Sequence, residues 1–340
     1  MGDPQNEREK RMKIAIIGAG LAGLTLAHKL KAHAEVTIFE KSRGLGGRIA
    51  TRYADPYQFD HGTQHFTAYH DSFRAFIQPM VEAGVIAPWH ARFVEMSRNK
   101  VLSRRTWTGE NIHYVGMPKM NAIGRYLAEG LEVVGSCRIE TMAQHADSQW
   151  ELTDDTGEHR GSYDWVISTA PPEQAYDLLP DSFAYKASLP QSKLLGCFAL
   201  MLGFAEPLPL EFDAALVKQA DISWMSVNSS KPGREETSFS LLVHATNRWA
   251  EAHMEDDPAQ VQAHLLQEVS SIIEHDVSKA DHIALHRWRY ANIKKQTGPR
   301  GLVDEKNRLA ACGDWCIQGR VEAAYLSAEY TAEAVLDSLN

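Results

Sequence analysis

The chain has 340 residues, a formal net charge of −9, 35 Lys and Arg against 44 Asp and Glu, and 44% hydrophobic residues. That length exceeds what one core usually fills, so two connected domains are expected, and the shortage of basic residues excludes a general binder of nucleic acid. No uninterrupted apolar run approaches about 18 residues, which excludes a membrane-spanning helix and leaves no membrane partner to expect.

Residues 1–11 are charged and without apolar periodicity, and read as a solvated leader. Lys13 to Ile17 is a short β-branched run that predicts a buried parallel strand, and from Leu21 to Leu30 the apolar spacing becomes helical. Between them Gly18, Gly20 and Gly23 form G-x-G-x-x-G. Gly18 permits a tight turn, Gly20 lets a pyrophosphate approach the backbone, and Gly23 lets helix and strand pack closely. Free amides and the dipole at the helix start favour phosphate. A second strand from Glu35 to Phe39 ends at Glu40, 22 residues beyond Gly18, where an acceptor for an adenosine ribose hydroxyl belongs.

This pattern suits nicotinamide and flavin dinucleotides alike. The next segment, KSRGLGGRIATR, supplies Gly44, Gly46 and Gly47 between Arg43 and Arg48 where a plain nicotinamide domain would proceed into another helix. Two arginines around small residues can approach a second stretch of phosphate and ribityl chain. Leu131 to Ile139, Trp150 to Thr153 and Trp165 to Ser168 read as strands of an antiparallel addition to the nucleotide fold. Helical stretches are expected over Asp71 to Ala83 and Pro258 to Glu274, and strands over Leu194 to Gly203, Ser238 to His244 and His282 to Tyr290. Near the end, Leu309 to Cys312 predicts a strand, Gly313 and Asp314 a turn, and Gly319 or Arg320 the start of a last helix. Asp314 can accept from polyol hydroxyls, and the helix start can stabilise negative charge on a reduced isoalloxazine. No second G-x-G-x-x-G occurs, so one dinucleotide is expected in a Rossmann site.

The domains that follow are a cofactor domain of 12–66, 115–172 and 302–340 and a mixed-sheet substrate domain of 67–114 and 173–301. Cys137, Cys197, Cys312 and Cys316 are few and scattered, without a signal peptide ahead of them, which predicts reduced thiols in a cytoplasm. The His61/His65 and His282/His286 pairs lack the H-E-x-x-H helix that would make their spacing informative, so no metal is expected. A serine hydrolase lacks its G-x-S-x-G elbow.

Four blocks, IAIIGAGLAGLTLA, FEKSRGLGGRIATR, FDHGTQHFTA and CGDWCIQGRVEAAYLS, with LVHATNRWAEAH and HRWRYAN in support, make the chain resemble the renalase group of the flavin-containing amine oxidase superfamily. The resemblance runs over nearly the whole chain from Met12. It implies an α/β fold with a Rossmann-type, glutathione-reductase-like FAD domain and a discontinuous second domain. It implies noncovalent FAD held by Gly18, Gly20, Gly23, Glu40, Arg48 and Asp314, with Leu21, Ala22, Lys41, Arg43 and Gly47 along the first loop. Gly62, Thr63, Gln64 and Ile139, then Gly313, Arg320 and Val321, complete the expected cofactor contacts. The implied reaction is oxidation of 2- and 6-dihydro isomers of NAD(P)H to NAD(P)+, by hydride transfer to flavin N5, with O2 reduced to H2O2. Gln64 and His65 are candidates for the floor beneath the reacting ring, and His244, Trp288, Tyr290 and Asn228 for carboxamide contacts or stacking. An amine oxidase acting on a small amine and a non-catalytic flavin-binding protein are the competing readings.

Overall fold

The computed structural model describes residues 11–109, 111–145, 148–234 and 238–339. The expected leader, Arg11 apart, lies outside the described residues.

A six-stranded sheet carries the amino-terminal loop. Its order is Leu302–Asp304, Leu309–Ala311, Trp165–Ser168, Lys13–Ile17, Glu35–Glu40 and Glu132–Gly135, and only the first pair is antiparallel. Alternate residues face opposite sides of a strand, and each side is buried differently. Ile14 and Ile16 join helices Leu21–Leu30 and Val321–Leu339 in one core, with Leu24, Leu26, Ala328 and Val335 buried among them. Ala15 and Val166 face a second core that includes Trp150 and Leu152 of a three-stranded sheet, Ile139–Gln144, Trp150–Asp154 and His159–Tyr163.

A seven-stranded sheet forms the other lobe. It runs His282–Asn292, Leu195–Phe204, Phe239–Ala245, Ile222–Val227, Ala214–Lys218, Arg92–Ser97 and Lys100–Thr106. Phe198, Leu200 and Leu202 pack with Val261, Leu265 and Val269 of helix Pro258–Ile273, which covers the outer face. The alternate residues Ala199 and Met201 turn to the other face with Tyr57 and Phe59.

Three expectations change. The predicted strand from Leu131 to Ile139 breaks at Ser136, whose φ of 52° lies in the left-handed region. Its first half enters the parallel sheet, and Ile139 opens a strand of the three-stranded sheet. Trp165–Ser168, expected in an antiparallel addition, lies fully buried between two parallel neighbours, where its continuous apolar run finds cover on both faces. Two segments expected in the second domain pack on the first: helix Pro172–Leu178 and the turn after it place Ala175, Leu179 and Phe183 beside Val166 and Trp315. Helix Asp71–Glu82 sets Phe73 against Tyr325 of the last helix, ring centroids 5.4 Å apart. Among the described residues, no helix is long and apolar enough to cross a membrane.

Candidate active site

The loop after the first strand is built by contact distances that only glycine meets. Gly18 has φ +108°, and a Cβ there would stand 2.8 Å from Thr169 Oγ1. A Cβ on Gly23 would stand 2.0 Å from the Gly18 carbonyl oxygen. Gly20 differs, because a Cβ on it would meet no atom within 4 Å. Gly20 precedes the helix Leu21–Leu30 without any side-chain cap, and the first turn holds no acid, so the amides that a helix start leaves unpaired remain free for an anion. Gly46 seats this loop by donating to the Ala19 carbonyl at 2.8 Å.

Glu40 is buried at the end of its strand. Its two carboxylate oxygens accept from the backbone amides of Ala19 and Ser42, each at 2.8 Å. Each oxygen keeps a lone pair for a hydroxyl. Arg48 forms a two-point pair with Asp314, Nη1 to Oδ2 at 2.9 Å and Nη2 to Oδ1 at 2.5 Å, and so ties the second glycine loop to the turn before the last helix.

Between the two sheets lies a cavity of about 1320 Å³, larger than the roughly 300–1,000 Å³ of ordinary small-molecule pockets. Gly18, Gly20, Leu21, Glu40, Lys41 and Ile139 line it around the glycine loop, Gly47, Arg48, Asp314, Arg320, Val321 and Tyr290 around the Arg48–Asp314 pair, and Gly62, Thr63, Gln64, His65, His244 and Trp288 around the aromatic rings. Five expected contacts stand elsewhere. Ala22 and Gly23 turn into the helix–strand packing, Arg43 is exposed outside, and Gly313 lies behind Asp314, where a Cβ would meet the Trp315 ring at 2.7 Å. Asn228 is buried behind the wall, its amide held between the Gln58 carbonyl at 2.9 Å and the Asp60 amide at 3.3 Å, so it does not reach a substrate.

The far end of the cavity is aromatic. His65 sits among Trp107, His113 and Trp224, with ring centroids 4.7, 5.0 and 5.4 Å away, and Trp107 stacks on His113 at 3.7 Å. On the other side Trp288 stacks on His61 at 5.0 Å. The His61 carbonyl accepts from Trp288 Nε1 at 2.9 Å and from His244 Nε2 at 3.1 Å. A carbonyl only accepts, so His244 carries its proton on Nε2.

Burial, with the neighbouring His286 and other positive groups, lowers His61 to about 4; burial, His113 and Lys231 lower His65 to about 3. Burial lowers His244 to about 4, against the bond to His61 and with help from Lys231. All three imidazoles are therefore neutral at pH 7. Along the wall made by 61–65, His113, Trp224, His244 and 286–292 no residue is a carboxylate, although Glu322 lines the cavity beside Tyr69; Arg287 and Arg289 alternate to the opposite side of their strand, Arg287 over the Phe198 ring and Arg289 paired with Glu255. The one metal-ligand grouping among the described residues, Asp221, His264 and Glu268, lies away from the cavity.

The family model described as flavin containing amine oxidoreductase matches residues 83–336. The chain belongs to that family. A model of an NAD(P)-binding Rossmann-like domain matches residues 16–79. Among curated proteins, 4,4'-diapophytoene desaturase of Staphylococcus aureus strain Newman is 48% identical over 52 residues, 15% of this chain and 10% of the desaturase. The chain thus matches only about a tenth of that relative's length. Three solved structures share the fold. A candidate protoporphyrinogen oxidase from Exiguobacterium sp. 255-15 superposes with a TM-score of 0.76 at 12% identity, covering 95% of this chain and 98% of that one. Cyclohexylamine oxidase from Brevibacterium oxydans IH-35A gives 0.71 at 12%, with 97% and 99% covered. Putrescine oxidase bound to putrescine gives 0.69 at 14%, with 96% and 99% covered.

The residues present fit the flavin that membership of the flavin containing amine oxidoreductase family implies. The uncapped helix start and the open face of Gly20 suit a pyrophosphate, and the cavity continues past Arg48 and Asp314 toward the aromatic end.

Proposed function

We propose that this flavoprotein is a renalase-like, FAD-dependent oxidase that converts 2- or 6-dihydro isomers of NAD(P)H to NAD(P)+. The dinucleotide form of the cofactor is favoured by the glycine loop together with Glu40, placed to accept a ribose hydroxyl. The observation that carries the substrate assignment is the composition of the aromatic wall. It offers neutral imidazoles and indoles and, over 61–65, His113, Trp224, His244 and 286–292, no carboxylate. An alkylammonium held against that wall would find no carboxylate in it to offset the loss of its hydration. An uncharged dihydropyridine finds aromatic faces for its ring there.

When bound, FAD supplies the two-electron acceptor and the route to oxygen. The balance is one hydride and one solvent proton for each O2 reduced to H2O2. Loss of hydride leaves an aromatic ring, so no base is required, in keeping with imidazoles held neutral by burial. Trp288 and His65 orient the ring by contact, and the His244 Nε2 proton stays committed to the His61 carbonyl. Positioning then dominates the rate. The four free, buried cysteines support a reducing, cytoplasmic setting.

The test is anaerobic mixing of holoprotein with borohydride-generated dihydronicotinamide isomers and, separately, a panel of primary and secondary amines. The flavin absorbance should bleach within a second with the isomers and far more slowly with any amine. Faster bleaching by an amine would replace this reading with an amine oxidase; no bleaching by either would make the chain a flavin carrier.

A further inference from the structure

Behind the wall at Gln64 lies an ion cluster with no part in the reaction as described. Asp60, Lys231 and Arg234 are shut off from solvent, with side-chain exposures of 0%, 0% and 3%. Asp60 Oδ2 meets Lys231 Nζ at 3.2 Å and Arg234 Nη2 at 2.5 Å. Asp60 Oδ1 accepts from Thr51 Oγ1 at 2.7 Å and from the Met120 amide at 3.1 Å. Lys231 Nζ also donates to Asn228 Oδ1 at 3.0 Å and Gln64 Oε1 at 3.4 Å, and lies 5.5 Å from the centre of the Trp89 ring. Arg234 Nη1 spends its protons on the Gly116 and Pro232 carbonyls, at 2.6 and 2.8 Å.

Two cations thus share one carboxylate, and among the described residues no second carboxylate reaches either of them. Taking a charge out of water is expensive, and a bare structural brace would be built more cheaply as one pair. Inside low dielectric the surplus charge also acts further than it would in water. Gln64, which Lys231 touches, and His65 both line the cavity. The Gln64 amide is fully engaged: its oxygen accepts from Ser226 Oγ at 2.7 Å and from Lys231, and its nitrogen donates to the carbonyls of Asp60 and Gly62.

We propose that Lys231 is a positioning residue that locks Gln64 in the cavity wall and lays an unscreened positive potential on that wall, favouring negative charge on the flavin ring and disfavouring a pyridinium product. The inference rests on the flavin reading given above. Burial draws the Lys231 ammonium down to about 8 while Asp60 opposes the shift, so at pH 7 the ammonium is still mostly charged. Its charge also helps to depress His65, a neighbour on the cavity wall. Among the described residues, Asp60, Arg234 and His244 are the other ionisable groups that interact with it.

Lys231→Met keeps the length of the side chain and leaves Asp60 paired with Arg234, so the holoprotein can be tested directly. The readouts are the flavin reduction potential and the dissociation constant of sulfite, an anion that combines with flavins held in positive surroundings. A purely structural lysine would move neither. The potential should fall and sulfite should bind about tenfold more weakly or worse, while NAD+ binds more tightly. Asn228→Asp reaches the same end by adding a carboxylate 3.0 Å from Nζ instead of removing the cation, and should weaken sulfite in the same direction. Sulfite affinity within twofold of wild type in either folded variant overturns the proposal. Neither readout needs a substrate. A wild-type protein that dihydronicotinamides do not reduce, but whose sulfite affinity depends on Lys231, overturns the substrate assignment alone; normal reduction with unchanged sulfite affinity overturns this inference alone.

Discussion

Gly23→Ala is expected to unfold or strongly destabilise the protein, whereas Gly20→Ala, three residues earlier, should leave stability intact and lose the cofactor. The added Cβ at Gly23 would lie 2.0 Å from the Gly18 carbonyl oxygen and 3.0 Å from Thr169 Oγ1. The first of these is backbone, so helix and strand must separate, at a cost of ~3 kcal/mol or more. At Gly20 the same methyl meets no atom within 4 Å, so the change in stability should stay within about 0.5 kcal/mol. It would instead occupy the space through which phosphates approach the free amides, and FAD affinity should fall at least about tenfold. Urea denaturation of the apoproteins and fluorescence titration with FAD separate the two effects. Equal loss of stability in both variants would contradict this account of the loop.

Asp60→Asn should be the most damaging polar substitution in the chain. It keeps the shape of the side chain and removes the only carboxylate that the described residues bring to Lys231 and Arg234. Breaking a buried pair from one side leaves uncompensated charge and costs about 3–5 kcal/mol. Lys231→Met, which leaves a matched pair, should cost much less. Burial alone would raise the Asp60 carboxyl, yet Lys231 and Arg234 bring it down to about 2. Its unfolded value is higher, so the stabilisation is present above about pH 4 and is lost as pH falls through 2. Asp60→Asn should flatten that limb of the stability–pH curve, measured by urea midpoints from pH 7 to pH 2. A variant as stable as wild type would show that the cluster is not an ionic one.

The parts of this site that were legible in the sequence are those held together by neighbours in the chain. Gly18, Gly20, Gly23 and Glu40 follow from one strand, one helix and one more strand, and local spacing is enough to place them. Gln64, His65, His244 and Trp288 came from a family resemblance, and they do converge on one cavity. Trp107, His113 and Trp224 carry no local signal. They meet His65 only because Arg92–Ser97 pairs in parallel with Ala214–Lys218 across more than a hundred residues of chain. Lys231 carries no local signal either, because its burial depends on Asp60, far away in sequence. Asn228, the expected contact in the same stretch, spends its amide on the Gln58 carbonyl and the Asp60 amide. The misplacement of Pro172–Leu178 has the same origin, since its apolar side is matched by Val166 and Trp315 and not by anything adjacent.

The most direct measurement is the absorbance spectrum of the purified protein, followed by mass analysis of what heat releases from it. One FAD per chain, with the two visible bands of an oxidised flavin, is the predicted result. Colourless protein that takes up no added FAD, or NAD recovered from the glycine loop, would contradict the account.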